Sequence, residues 1–236
     1  MRILIIGGMH GNEPLGLEVV KLFSKKPVGG VDAVFANQQA IYINRRFVSD
    51  DLNRSFPGDI SSRDYEPKRA AQLLGLTKNY DLVLDFHNTH CSNNSCGFLG
   101  ETALKQLYDV SAWLGLNKVI VANYDCVNKY APNCLSIEVS LDSEQNDAKY
   151  WYDQIVRLTT AVEIPAAVSL SIYAFIYRIT LEDKKKFNLS TYRLEAFKPI
   201  PEELAVSLGV VHPAYPIFIA DKYTPYNYGG LLNKIK

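Results

Sequence analysis

The chain has 236 residues, enough to bury a substantial core in one large domain or in one domain with a smaller appendage. Its 25 Lys and Arg balance 25 Asp and Glu, so no global field draws it to nucleic acid or to an anionic membrane, and any electrostatic function must be local. No segment reaches the ~18 apolar residues of a membrane span, the N-terminus reads as a strand rather than a leader, and Cys91, Cys96, Cys126 and Cys134 show no CxxC spacing. These features predict a cytoplasmic protein with free thiols.

In chain order, RILIIG predicts a strand that breaks at two glycines, followed by a helix over PLGLEVVKLFSKK, whose apolar residues recur at three and four. Pro14 suits the first helical position, so Glu13 falls near the N-cap and His10 in the preceding turn. Taken alone, the pair reads first as a helix start, with Glu13 favouring the positive end of the helix. The same spacing can also close on one cation, and zinc takes nitrogen and oxygen ligands at ~2.0–2.2 Å. DAVFAN and AIYIN predict two further strands. INRRFVSDDLNRSFPG then crowds Arg45, Arg46, Asn53 and Arg54 into a segment ending in a Pro-Gly turn. Those arginines could pair with Asp50 and Asp51 on the surface; facing a metal site, they could steady an oxyanion and grip a carboxylate.

PKRAAQLLGL predicts a helix and DLVLDF a strand. Alternation sends Leu82, Leu84 and Phe86 to one face and Val83, Asp85 and His87 to the other, so His87 emerges at a strand end with a carboxylate on its side. His90, three residues on, has left the strand and is the lesser candidate for a ligand. ALKQLYDVSAWLGL predicts a helix, and KVIVAN and CLSIEVS predict strands. In the last of these, Leu135, Ile137 and Val139 leave Ser136, Glu138 and Ser140 on the opposite face. A glutamate within such a strand is costly unless it is paired, exposed or functional, and beside a metal-activated water it is a natural general base. A helix over AKYWYDQIVRLTTAVE closes this unit near residue 164. Beyond it, SLSIYAFIYRITL predicts one long strand, TYRLEAFKPIPEEL and HPAYPIFIAD look β-rich and proline-broken, and no helix is expected in the last seventy residues. The expected organisation is an α/β domain over 1–164, a sheet covered by helices, with a small β-rich appendage over 165–236.

GGMHGNE, DDLNRSFPG, DFHNT and IEVS, in that order across roughly residues 4 to 140, resemble the aspartoacylase and succinylglutamate desuccinylase family, itself similar to the zinc carboxypeptidases. The resemblance implies a zinc-carboxypeptidase-like mixed sheet flanked by helices and one Zn2+ per chain held by His10, Glu13 and His87, with Glu138 as the general base. Arg46, with Arg45 as the neighbouring alternative, would steady the oxyanion, and Asn53 and Arg54 would bind a substrate carboxylate. It further implies an arginine about ten residues before the base for a second carboxylate, a place taken here by Asn128 with Lys129 beside it. A pocket-lining tyrosine near the C-terminus is also implied, with Tyr223 as one candidate. The activity implied is amide hydrolysis of an N-acyl acidic amino acid such as N-acetylaspartate, a small-molecule substrate. Desuccinylation of succinylglutamate and carboxypeptidase action on a small peptide are the rivals within the class, and a non-catalytic zinc- or ligand-binding protein is the rival outside it. Homo-oligomerisation is left open.

Overall fold

The computed structural model describes residues 1–222 and 227–236. In chain order its elements are β1 (Ile3–Gly7), α1 (Pro14–Lys25), β2 (Val31–Phe35), α2 (Gln38–Tyr42), α3 (Tyr65–Thr77), β3 (Leu82–Thr89), β4 (Cys96–Leu99) and α4 (Gln106–Trp113). They continue with β5 (Lys118–Val121), α5 (Val127–Tyr130), β6 (Cys134–Ser140), α6 (Ala148–Thr160), β7 (Ser171–Thr180), α7 (Leu181–Lys186), α8 (Glu202–Leu208), β8 (Ala214–Ile217) and β9 (Asn227–Lys234). One mixed sheet of nine strands runs in the order β2-β1-β3-β6-β4-β5-β7-β9-β8. Its centre is parallel: β1 pairs with β2 and β3, and β3 with β6. β4 runs antiparallel to β6 and parallel to β5, β7 continues the sheet from β5, and β9 and β8 add antiparallel strands at the far edge.

Helices cover both faces of the centre, and every residue of β3 is buried. Leu82, Leu84 and Phe86 of β3 join Leu135, Ile137 and Val139 of β6 in a core closed by α1, α4 and α6, where Trp151 meets Phe86 edge-on with ring centroids 5.2 Å apart. On the opposite face Leu4, Ile6 and Val83 pack with Ala70 and Leu73 of α3 and Val127 of α5. The face division expected from alternation along β3 and β6 is therefore the one the core uses. Close approach of α1 to β1 depends on glycine: a Cβ on Gly7 would lie 2.1 Å from the Gly16 carbonyl oxygen.

Several local expectations are corrected. AIYIN is not a strand; its residues 40–42 belong to α2, because Asn37 accepts from the Ala40 N–H at 3.0 Å and starts a helix there, and Asn44 ends the segment with φ 51°. Local cap chemistry prevails here over the β preference of Ile and Tyr. β4 and α5, four residues each, were too short to stand out as periodic segments. The C-terminal stretch does contain helices. Thr180 and Asp183 form a reciprocal capping box at the start of α7. TYRLEAFKPIPEEL forms no strand; Pro201, then Glu202 and Glu203 in the first turn, and Gly209 in the left-handed conformation delimit α8. Among the described residues no helix is long and apolar enough to cross a membrane, and the four cysteines are free thiols.

Candidate active site

The parallel strands β1, β3 and β6 deliver their C-terminal ends to one pocket, the usual location for a ligand site in an α/β sheet. After β1 the chain turns at Gly8, whose φ of 74° suits glycine, and buries His10 and Glu13. Glu13 occupies the N-cap position of α1, yet its side chain makes no cap hydrogen bond. The cap comes from β3 instead: Asn88 Oδ1 accepts from the Leu15 N–H at 2.9 Å. Glu13 is thereby free to face two imidazoles, with Oε1 2.7 Å from His10 Nδ1 and Oε2 2.9 Å from His87 Nδ1.

The outer nitrogens of both rings are held as well. His10 Nε2 lies 3.0 Å from Asp51 Oδ1, and His87 Nε2 lies 2.8 Å from Asp85 Oδ2. A neutral imidazole has one N–H and cannot donate at both nitrogens, so rings that face carboxylates on both sides call for positive charge between them. A metal cation meets that demand. With each Nε2–H tied to a carboxylate, both Nδ1 lone pairs point inward beside Glu13, and ligand atoms of His10, Glu13 and His87 all lie within 4.8 Å of one another. The donor set thus fits a divalent ion of the kind that nitrogen and carboxylate ligands hold.

Burial works against charge on Glu13, but the charges and hydrogen bonds of His10 and His87 prevail and hold its carboxyl well below the usual range. Asp51 behaves likewise: burial opposes ionisation, while the His10 hydrogen bond and charge and the charges of Arg46 and Arg54 push its carboxyl down. His87 is desolvated too, yet Asp85 and Glu13 raise its pKa well above the ordinary imidazole value. Arg46 closes the cluster with Nη1 3.3 Å from Glu13 Oε1 and Nη2 3.1 Å from Asp51 Oδ2.

Glu138 stands directly opposite His87 in the β3–β6 register, and Ser136 opposite Asp85, whose Oδ2 lies 3.0 Å from the Ser136 hydroxyl oxygen. The Glu138 side chain lines the pocket, and its pKa is raised to about 8. Burial is the main cause; His87 opposes it, and the charges of Glu13 and Asp221 add to it.

Asn53 and Arg54 lie in a 3-10 turn over Leu52–Arg54 that Asp51 caps by accepting from the Asn53 N–H at 3.0 Å. Both line the pocket, and the Arg54 guanidinium stacks 4.6 Å from the centre of the Tyr124 ring. Arg45 is exposed outside it. His90 is also exposed and lies outside the His10–Glu13–His87 cluster. Asn128 does not reach the pocket: its Nδ2 donates to the carbonyls of Phe98 at 2.8 Å and Cys134 at 3.2 Å, and its Oδ1 accepts from Ser136. Lys129 pairs with Asp125 at the surface. Tyr223 lies outside the described residues.

Some lining residues were not singled out by the sequence. The pair Phe98 and Phe218 stacks at 5.8 Å, Tyr124 meets Phe175 edge-on at 6.1 Å, and Arg178 and Asp221 also face the space. Asp221 accepts from Thr89 Oγ1 at 2.5 Å. Phe175 and Arg178 come from β7 and Phe218 and Asp221 from the segment after β8, which carry no motif of their own.

A family model, the succinylglutamate desuccinylase/aspartoacylase catalytic domain, matches residues 1–132. The chain belongs to this family. Among curated relatives, an N-acyl-aromatic-L-amino acid amidohydrolase (carboxylate-forming) of Rattus norvegicus is 32% identical over 114 residues, covering 41% of this chain and 36% of that protein. A probable aspartoacylase of Nostoc sp. is 33% identical over 103 residues, covering 37% of this chain and 35% of that protein. These matches span about a third of the length of either relative. The solved structure of succinylglutamate desuccinylase from Chromobacterium violaceum superposes with a TM-score of 0.73 at 19% identity, covering 100% of this chain and 85% of that one. At that identity the likeness shows the fold, and the fold is zinc-carboxypeptidase-like, with the mixed sheet flanked by helices that the family resemblance implied.

Proposed function

We propose that the chain is a zinc-dependent amidohydrolase that cleaves the amide bond of an N-acyl acidic amino acid such as N-acetylaspartate, releasing a carboxylate and the free amino acid. The observation that carries this reading is Glu138, a desolvated carboxyl set beside His87 in the pocket that also holds His10, Glu13 and Arg46. A purely structural metal site has no use for such a group.

His10 Nδ1, Glu13 and His87 Nδ1 would hold the zinc. The ion supplies Lewis acidity, which makes water a nucleophile near neutral pH and polarises a carbonyl. Glu138 accepts the proton of the attacking water on its carboxylate and returns it to the departing nitrogen. Asp51 and Asp85 keep the proton of each imidazole on Nε2. Arg46 faces the charge that develops on the carbonyl oxygen, and one donor of this kind is worth ~10²–10³ in turnover. Stacked on Tyr124 and held through Nη1 by the Asn53 carbonyl at 3.1 Å, Arg54 offers its remaining N–H groups to a carboxylate. Asn53 Oδ1 is buried without a hydrogen-bond partner among the described residues. A flip of the amide exchanges that oxygen for the NH2 group, which donates to the same carboxylate.

A second reading, an N-acyl aromatic amino acid as substrate, is favoured by the four rings of Phe98, Tyr124, Phe175 and Phe218 in the pocket wall. The test is hydrolysis of N-acetylaspartate, N-succinylglutamate and N-acetyltyrosine by zinc-loaded protein, with Glu138→Gln as control. The proposal expects turnover of an acidic substrate, lost by at least ~10²-fold in Glu138→Gln with zinc content unchanged. Preference for N-acetyltyrosine would favour the second reading, and wild-type turnover in Glu138→Gln would remove the base from the mechanism.

A further inference from the structure

The position that the family resemblance assigns to a second carboxylate anchor holds Asn128, and that side chain is wholly engaged inside the fold. We infer that Arg178 of β7 takes over this task and binds a second carboxylate of the substrate, so that specificity for a dianionic substrate resides on a strand outside the four family motifs. The inference rests on the amidohydrolase reading.

The argument begins with the register of β7. Strict alternation from Phe175 would put Tyr177 on the Phe175 face and Arg178 on the opposite one. The pairing with β9 departs from that: Phe175 lies opposite Leu232, Tyr177 opposite Leu231 and Arg178 opposite Gly230. Two steps along β7 thus match one along β9, and Ile176 is the extra residue of a β-bulge. A bulge shifts the phase of the strand and re-aims the side chains beyond it. Tyr177 and Ile179 accordingly pack into the C-terminal core, whereas Arg178 returns to the face of Phe175 and lines the pocket.

The surroundings suit a guanidinium that waits for an anion. Opposite Arg178 the neighbouring strand offers Gly230, where a Cβ would lie 2.5 Å from the Phe175 ring, so no side chain occupies that place. Arg46 is held by Glu13 and Asp51, but the Arg178 side chain makes no hydrogen bond or ion pair among the described residues. Its relation to the first anchor is also defined. Arg54 stacks on Tyr124, Tyr124 meets Phe175, and Phe175 shares a face with Arg178. Two cationic groups therefore flank one apolar aromatic floor, an arrangement matched to a ligand with a carboxylate at each end. That second carboxylate is either the side chain of an acidic amino acid or the far end of a dicarboxylic acyl group.

The test compares zinc-loaded wild type, Arg178→Gln and Arg178→Lys on N-acetylaspartate, N-succinylalanine and N-acetylalanine. A lost charged hydrogen bond predicts that KM for a dianionic substrate rises about ten- to hundredfold in Arg178→Gln, with kcat nearly unchanged and partial recovery in Arg178→Lys. N-acetylalanine should be handled equally by all three. A defect confined to N-acetylaspartate places the contact at the amino-acid side chain, and one confined to N-succinylalanine places it at the acyl end. Equal effects on all substrates, or none, overturn the inference. If wild type hydrolyses nothing in this set, the amidohydrolase reading fails separately, and calorimetry with succinate and butyrate decides the anchor. Tighter binding of succinate that disappears in Arg178→Gln supports it, and no such difference rejects it.

Discussion

At the scale of single residues, the site depends on side chains that hold other side chains. Asp51 touches His10 Nε2 with one oxygen and Arg46 with the other, and it caps the turn that carries Asn53. Replacing it by Asn keeps the shape but removes the charge and one certain acceptor, so the His10 proton is no longer fixed on Nε2. Loss of a carboxylate behind a metal-binding imidazole typically weakens metal affinity 10- to 100-fold. Asp51→Asn should therefore release zinc to a chromophoric chelator at a correspondingly lower chelator concentration; unchanged competition would show that His10 needs no such support. This residue was hard to find in the sequence. Asp50 and Asp51 are adjacent and chemically identical, and only folding exposes one while turning the other inward. His87 and Glu138 stood out in the sequence as polar residues in or at the end of apolar strands, whereas His10 and Glu13 read alone as a helix start and joined the candidate site through the family resemblance. Arg178 did not stand out, because an arginine in a strand with one exposed side is unremarkable until the bulge is known.

At the scale of elements, what alternation and capping govern was legible, and what pairing governs was not. The faces of β3 and β6 followed from period two, and α1 followed from Pro14 and the apolar spacing behind it. The cap of α1 did not, since its acceptor comes from Asn88, 73 residues further along the chain. This separation of tasks lets Glu13 turn to the imidazoles, and it can be tested. Asn88→Ala removes the acceptor for the Leu15 N–H and the donor to Val139 O at 3.1 Å. A lost cap costs about 0.5–2 kcal/mol, and an unmet buried backbone group about 1–3 kcal/mol. Urea unfolding should show a lower midpoint with the slope unchanged; a midpoint equal to wild type would mean that another group caps the helix. The opposite lesson holds for α2 and α8, where Asn37 and the Pro201–Gly209 pair were visible stop and start signals overshadowed by nearby β-formers.

At the scale of the whole molecule, the cluster joins parts of the chain that are distant in sequence. His10 and Glu13 follow β1, Asp51 lies in the loop before α3, and Asp85 and His87 lie within β3, which continues to Thr89. A cation held at their centre would tie three segments of the sheet and its loops together, and it would bind the folded chain alone because the unfolded chain cannot assemble the set. Mass action then adds RT ln(1 + [L]/Kd) to stability, about 2.7 kcal/mol at a hundredfold excess over Kd. For a chain of this size each kcal/mol moves Tm by about 2–4 °C. Chelation should thus lower the melting temperature by about 5–11 °C, and added zinc should restore it. Magnesium should not, because two of the three ligands are imidazole nitrogens and magnesium prefers oxygen. A melting curve indifferent to chelator, measured by calorimetry beside elemental analysis, would leave the imidazoles as ion pairs with Glu13, Asp51 and Asp85 and would withdraw the metal from the site.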